Sequence, residues 1–150
     1  MKEFDAMRAY HDAGETATLA FRQEQLRRLK SGIEEREAQI LEALQTDLGK
    51  SAFEAFSSEV GIVYSEISHH LSHLKRWMKK QRVKGSLVSF PSRAYTVAQP
   101  LGVVLIISPW NYPFQLSLVP LVSAIAAGNC AVIKPSTQSR ATTAIITECE

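Results

Sequence analysis

The sequence predicts an α/β chain: N-terminal helices lead through a β-hairpin into the start of a parallel sheet. Three observations carry this. Apolar residues recur every three or four positions up to about residue 80, which is the helical period. Short strand-like runs then appear on either side of Pro91. Finally, an apolar run, an apolar helix and a second apolar run follow within about 30 residues, the spacing of a right-handed βαβ unit. The expected division is 1–82 helical, 83–100 hairpin and 101–150 the first part of the sheet domain.

The helical part begins with Phe21, Gln25 and Leu29 spaced four apart, and Leu26 and Leu29 three apart. Gly32 separates this from a second expected helix carrying Ile33, Ile40, Leu41, Leu44 and Leu48, with Gly49 as its stop signal. A third helix is the most regular, since Val60, Val63, Ile67, Leu71, Leu74 and Met78 form one apolar stripe. Leu87–Phe90 and Ala94–Ala98 read as the two strands of a hairpin around Pro91, Ser92 and Arg93. Val103–Ile107 is a continuous apolar run, the mark of a strand buried on both faces. Leu116–Ala127 reads as a helix ended by Gly128, Ala131–Ile133 as a second strand and Arg140–Glu150 as a last helix. Pro113 suits a first helical turn, whereas Pro120 predicts a bend or a late start.

The chain has 150 residues, 45% hydrophobic and 21% charged, enough for one domain with a core and incompatible with disorder or a collagen-like repeat. A net charge of +2 does not by itself imply nucleic acid, although Lys75, Arg76, Lys79, Lys80, Arg82 and Lys84 cluster at the end of the third helix. No nucleic-acid motif accompanies them, and positive charge there complements the helix dipole. The first twenty residues hold charges throughout and no apolar block, so no signal peptide is expected. No run reaches the roughly 18 apolar residues of a membrane span. Two cysteines, Cys130 and Cys149, suit reduced thiols, and a cytoplasmic location is expected. His69 and His73 stand four apart with no further ligand at suitable spacing apart from Glu66, which could equally pair with His70, so no metal is expected.

In an open parallel sheet, ligands bind beyond the carboxyl ends of the strands. Two loops belong to that edge: Ser108–Pro113, and Lys134 with Pro135, Ser136 and Thr137. A cation, hydroxyls and the Asn111 amide gather there, a reasonable site for a phosphorylated or hydroxylated ligand. Spacing alone equally allows a tight strand-to-helix connection and an exposed loop lysine. Gly102 and Gly128 are too far apart for G-x-G-x-x-G, which excludes a standard glycine-rich pyrophosphate turn.

Pro100–Phe114 (PLGVVLIISPWNYPF), followed by Ala126-Ala127-Gly128-Asn129-Cys130 and Lys134-Pro135-Ser136, resembles the aldehyde dehydrogenase superfamily. Asp47-Leu48-Gly49-Lys50 and Glu59-Val60-Gly61 resemble its class 3 type. The likeness covers roughly residues 16 to 150. It implies an incomplete aldehyde dehydrogenase fold with a Rossmann-like sheet, NAD or NADP as cofactor and an aldehyde substrate oxidised to a carboxylic acid through a cysteine thioester. It gives Asn111 the oxyanion role, has Ser108, Pro109 and Trp110 line the cofactor cleft, and puts Lys134 on the adenosine ribose, with Ser136 and Thr137 beside it. Leu87–Val97 resembles the part of the family that bridges subunits, which implies a homodimer through the hairpin.

Many members carry Glu after Lys-Pro-Ser, and this chain has Thr137, which would not repel a 2′-phosphate. The family's nucleophilic cysteine and general-base glutamate lie beyond the length given. The expectation is therefore a partial form, inactive alone, with Cys130 an inert packing thiol. An acylating or semialdehyde dehydrogenase of the same fold, or a non-catalytic fragment that only pairs with subunits, is the alternative.

Overall fold

The computed structural model describes residues 2–85, 88 and 91–149, the side chain of Cys149 excepted. In chain order the elements are α1 (Lys2–Asp12), α2 (Leu19–Leu48), α3 (Ala52–Ala55), a π-helical turn (Phe56–Val60), α4 (Gly61–Trp77), β1 (Gln81–Val83), β2 (Ala94–Thr96), β3 (Val103–Ile107), α5 (Pro113–Ala127), β4 (Cys130–Lys134) and α6 (Arg140–Cys149). One core joins the helices to the strands. Leu26, Ile33, Ile40 and Leu44 of α2 meet Val63, Ile67 and Leu74 of α4, Phe114, Leu118 and Val122 of α5, and Ile146 of α6.

Two helices were expected on either side of Gly32; a single 30-residue helix runs through it. An interior glycine costs about 1 kcal/mol. The apolar stripe from Leu26 through Ile33 to Leu44 stays in register across it, and burying those side chains contributes more. Thr18 caps the start of α2, its hydroxyl accepting from the Phe21 N–H at 3.2 Å. Gly49 ends it in the left-handed conformation, as expected. The stripe of the third expected helix is the buried face of α4 and the turn before it.

The hairpin differs from expectation. Ala94–Thr96 pairs antiparallel with Gln81–Val83, in the register Gln81↔Thr96 and Val83↔Ala94. The partner strand therefore lies just after α4, across the expected boundary between the helical part and the hairpin. Of the expected strand Leu87–Phe90, only Val88 is among the described residues, and it is exposed.

Strands β3 and β4 pair in parallel, Val103↔Cys130 through Ile107↔Lys134, with α5 crossing between them. This is the βαβ unit that the sequence predicts. Burial of β3 on both faces is not observed: Ile106 is buried in the core, while Leu105 and Ile107 are 61% and 67% exposed. Alternate side chains of a strand point to opposite faces, and here α5 covers only the face that carries Ile106. Helix α5 starts at Pro113, three residues earlier than expected, and continues through Pro120 without a late start. No helix among the described residues is long and apolar enough to cross a membrane.

Candidate functional site

Because β3 and β4 are parallel and in register, the loops after them open on the same edge of the sheet. The Ser108 N–H donates to the Lys134 carbonyl at 3.2 Å and ties the two loops together. Asn111 and Trp110 are exposed on the first loop, Trp110 at 52%. Pro109 is exposed beside them, and Lys134 and Thr137 are exposed on the second loop. Among the described residues, no hydrogen bond engages the Asn111 side-chain amide, so its donors are free for a ligand.

Two hydroxyls already make bonds within the protein. Ser108 is 5% exposed. Its Oγ lies 2.6 Å from that of Ser117, which in turn donates to the Pro113 carbonyl at 2.6 Å. Ser108 therefore fastens the loop to α5 through its hydroxyl and to β4 through its N–H. Ser136 accepts from the Gln138 N–H at 3.2 Å, and its carbonyl takes the Thr143 hydroxyl at 3.1 Å. Its side chain shapes the turn into α6.

The Asn111 turn is held from beneath by two buried charges. Lys50 donates to Glu59 Oε1, and Glu59 is fully buried. The other oxygen of that carboxylate, Oε2, accepts from the Phe114 N–H at 2.9 Å and the Gln115 N–H at 3.2 Å, in the first turn of α5. First-turn N–H groups have no partner inside their helix, and a carboxylate there also meets the positive end of the dipole. Lys50 Nζ reaches the Asn111 carbonyl at 3.4 Å and sits 4.0 Å from the centre of the Tyr112 ring.

The π-helical turn explains how Glu59 comes to point inward. A π turn adds a residue to the helix and rotates the next turns relative to those of a regular one. The Gly61 N–H donates to the Phe56 carbonyl across this wide turn. A Cβ on Gly61 would lie 3.1 Å from the same carbonyl oxygen, so the position favours glycine. The Glu59-Val60-Gly61 motif is thus a local device for burying a carboxylate.

Two further charges repeat the theme. Asp47 accepts from the N–H groups of Ala141 at 3.2 Å and Thr142 at 2.7 Å and from the Thr142 hydroxyl at 2.8 Å, at the start of α6. Arg22, also buried, donates to the Ala126 carbonyl at 3.1 Å at the C-terminal end of α5, and to the Thr16 carbonyl at 2.9 Å. Its desolvation lowers the guanidinium pKa from its ordinary value. Gly128 ends α5 with φ +87°, and a Cβ there would meet Arg22 Nη2 at 2.3 Å. In the sequence, Asp47, Lys50 and Glu59 stand out only as marks of resemblance. A signal for Asp47 was present: an acidic residue in the last turn of its own helix is on the wrong end for the dipole.

Cys130 is partly buried and donates to the Met7 carbonyl at 3.5 Å, and desolvation pushes its thiol up. That suits a packing residue rather than a nucleophile. His69 and His73 stack on each other, His73 also stacks on Trp77, and His69 lies tilted against the same indole ring. No group of three or more metal-ligating side chains occurs among the described residues. The basic side chains from Lys75 to Lys84 are all exposed. A cavity of about 400 Å³, lined by Arg22, His70, Leu74, Trp77 and Ala126 among others, lies at the far end of α5 from Asn111.

A model of the aldehyde dehydrogenase family matches residues 2–150. The 4,4'-diaponeurosporen-aldehyde dehydrogenase of Staphylococcus aureus is 46% identical over 135 residues, 90% of this chain and 29% of that protein. The aldehyde dehydrogenase family 3 member B1 of Rattus norvegicus is 46% identical over 142 residues, 95% of this chain and 30% of that protein. A structure of the substrate-bound state of Staphylococcus aureus AldH superposes with a TM-score of 0.96 at 42% identity, over 99% of this chain and 32% of that one. The chain thus spans about a third of the length of these relatives.

Proposed function

The chain belongs to the aldehyde dehydrogenase family, and on that premise we propose that it supplies the oxyanion donor and part of the cofactor cleft of an enzyme that oxidises an aldehyde to a carboxylic acid. One observation carries this reading: the Asn111 amide is exposed and unbonded at the carboxyl edge of β3, on a turn whose backbone is pinned by Lys50. When a cysteine attacks an aldehyde, negative charge develops on the carbonyl oxygen. A donor already fixed in place stabilises that charge with no reorganisation at the moment of reaction, which is worth about 3 kcal/mol of barrier. The side-chain N–H of Asn111 fills that role.

The same edge suits the adenosine ribose of NAD or NADP. Lys134 offers an ammonium and Thr137 a hydroxyl, both exposed, and Ser136, whose Oγ accepts from the Gln138 N–H, keeps its own O–H as a donor. The first turns of α5 and α6 already hold Glu59 and Asp47, so neither turn offers a free anion site to the pyrophosphate. The cofactor, when bound, accepts the hydride. Trp110 and Pro109 give the cleft an apolar wall, and the exposed hairpin offers an edge for a second subunit. The absence of a carboxylate at position 137 favours use of NADP as well as NAD.

Asn111→Ala in the product of the complete reading frame is the test. We expect kcat to fall by about 10² to 10³, with the affinity for NAD(P) unchanged within about twofold. A kcat equal to that of the unmodified enzyme removes Asn111 from the oxyanion role.

A further inference from the structure

We propose that Lys50 and Glu59 are positioning residues for the chemistry of this enzyme, aiming the Asn111 amide through its backbone. The inference rests on the oxyanion reading of Asn111 and adds what fixes that donor in place. With no bond to its own amide among the described residues, the side chain takes its direction from the main chain of the turn. Four of the five residues from Asn111 to Gln115 are tied to the buried pair: the Asn111 carbonyl and the Tyr112 ring to Lys50, and the Phe114 and Gln115 N–H groups to Glu59. The fifth is Pro113, whose ring fixes φ. The loop is thereby anchored to the helical layer at the Lys50 loop and the π-helical turn. Helix capping alone needs only the bonds to Glu59. The approach of Lys50 to Asn111 and Tyr112 is additional, and it acts on the residue next to the exposed amide.

A donor held in its productive place loses up to about a hundredfold in rate when displaced by about 1 Å. A double-mutant cycle in the full-length enzyme tests the inference, with kcat, KM for the aldehyde and thermal midpoint measured on each variant. Lys50→Met should lower kcat about tenfold and leave the NAD(P) dissociation constant within about twofold. In an Asn111→Ala background the same change should cost nothing further, because the group it positions is gone. Lys50→Arg keeps the charge beside Glu59 and guards against a variant that does not fold. It should show the same non-additivity with a smaller loss of about threefold. A lowered thermal midpoint is common to both readings; a purely structural role predicts losses in kcat that multiply with those of Asn111→Ala, and that result overturns the proposal. So does unchanged kcat in both Lys50 variants while Asn111→Ala remains impaired. If Asn111→Ala itself keeps full kcat, the oxyanion reading falls and takes this inference with it.

Discussion

Removing the Glu59 carboxylate should destabilise the protein more than removing the Lys50 ammonium, although each change breaks the same ion pair. Glu59 is fully buried and has three donors on it: Lys50 and the N–H groups of Phe114 and Gln115. In Glu59→Ala the ammonium is left beside a cavity and two helix N–H groups lose their acceptor. Breaking a buried pair from one side costs about 3–5 kcal/mol, and each buried N–H left unmet adds about 1–3 kcal/mol unless water replaces the acceptor. We expect at least about 5 kcal/mol in all. In Lys50→Met the carboxylate keeps both N–H donors and the helix dipole, so its charge is not abandoned, and about 2–3 kcal/mol is expected. The double variant Lys50→Met/Glu59→Gln provides a sharper check. It has no buried charge, and the Gln carbonyl can still accept from α5, so it should be more stable than Glu59→Ala despite changing two residues. Urea unfolding followed by far-UV circular dichroism measures the series. A Lys50→Met protein less stable than Glu59→Ala, or three variants of equal stability, would refute the account of Glu59 as both ion-pair partner and helix cap.

The geometry sets three other expectations. Gly128→Ala should cost about 1–2 kcal/mol for a side chain at positive φ and more for displacing Arg22, so the loss should shrink in an Arg22→Ala background; equal losses in both backgrounds, measured by urea unfolding, would remove the contact from the explanation. The enzyme should use NAD and NADP with efficiencies within about a hundredfold of each other, and Thr137→Glu should lower the NADP efficiency at least about tenfold relative to NAD by repulsion of the 2′-phosphate; a ratio of kcat/KM values unmoved by the substitution would refute the role of position 137. Burial raises the Cys130 thiol pKa, so its contribution is present below the ordinary thiol pKa of about 8.5 and is lost as pH rises through the folded value. Relative to Cys130→Ala, stability should therefore be flat below about pH 8 and fall in more alkaline buffer, with kcat of the variant unchanged at neutral pH; a large loss of kcat would make Cys130 more than a packing residue.

Much of the backbone was legible because it depends on periodicities that local sequence carries. The α2 stripe, the Gly49 stop, the β3 and β4 runs and the crossing helix are all of this kind. The misreadings have physical causes. Gly32 looked like a boundary because an interior glycine is unfavourable, but tertiary burial of Ile33, Ile40 and Leu44 outweighs it. The strand at Gln81–Val83 was missed because it is short, polar and continuous with a basic helix end. Position of the candidate site was legible too, since the carboxyl edge of a parallel sheet follows from strand order. The sequence did not reveal which polar groups are already used. Ser108 and Ser136 read alike as cofactor-cleft residues, yet the Ser108 hydroxyl is buried against Ser117, whereas that of Ser136 accepts from the Gln138 N–H and keeps its O–H to donate. Conversely, Lys50 and Glu59 lie far from the turn in sequence and meet it only in the fold.

The buried charges also explain why the glycine-rich turn is absent. A helix N-terminus after a parallel strand is a ready anion site, and a glycine-rich turn exists to let a pyrophosphate approach it. In this chain both such termini are occupied from the helical layer, α5 by Glu59 and α6 by Asp47. A pyrophosphate seated there would meet a carboxylate rather than free N–H groups, and the repulsion between two anions in a partly buried site is several kcal/mol at an effective dielectric of about 20. Glycines that open these turns would therefore serve no ligand. The turns carry instead bulkier residues: Pro109, Trp110 and Tyr112 after β3, and Pro135 and Thr137 after β4. The backbone of the first turn is tied to Lys50 at the Asn111 carbonyl, and the residue it presents at this edge is an uncharged amide. The edge is thus divided between the exposed Asn111 amide on one loop and the exposed Lys134 and Thr137 on the other, and on the proposed reading the anionic part of a dinucleotide finds its partners outside the first turns of α5 and α6.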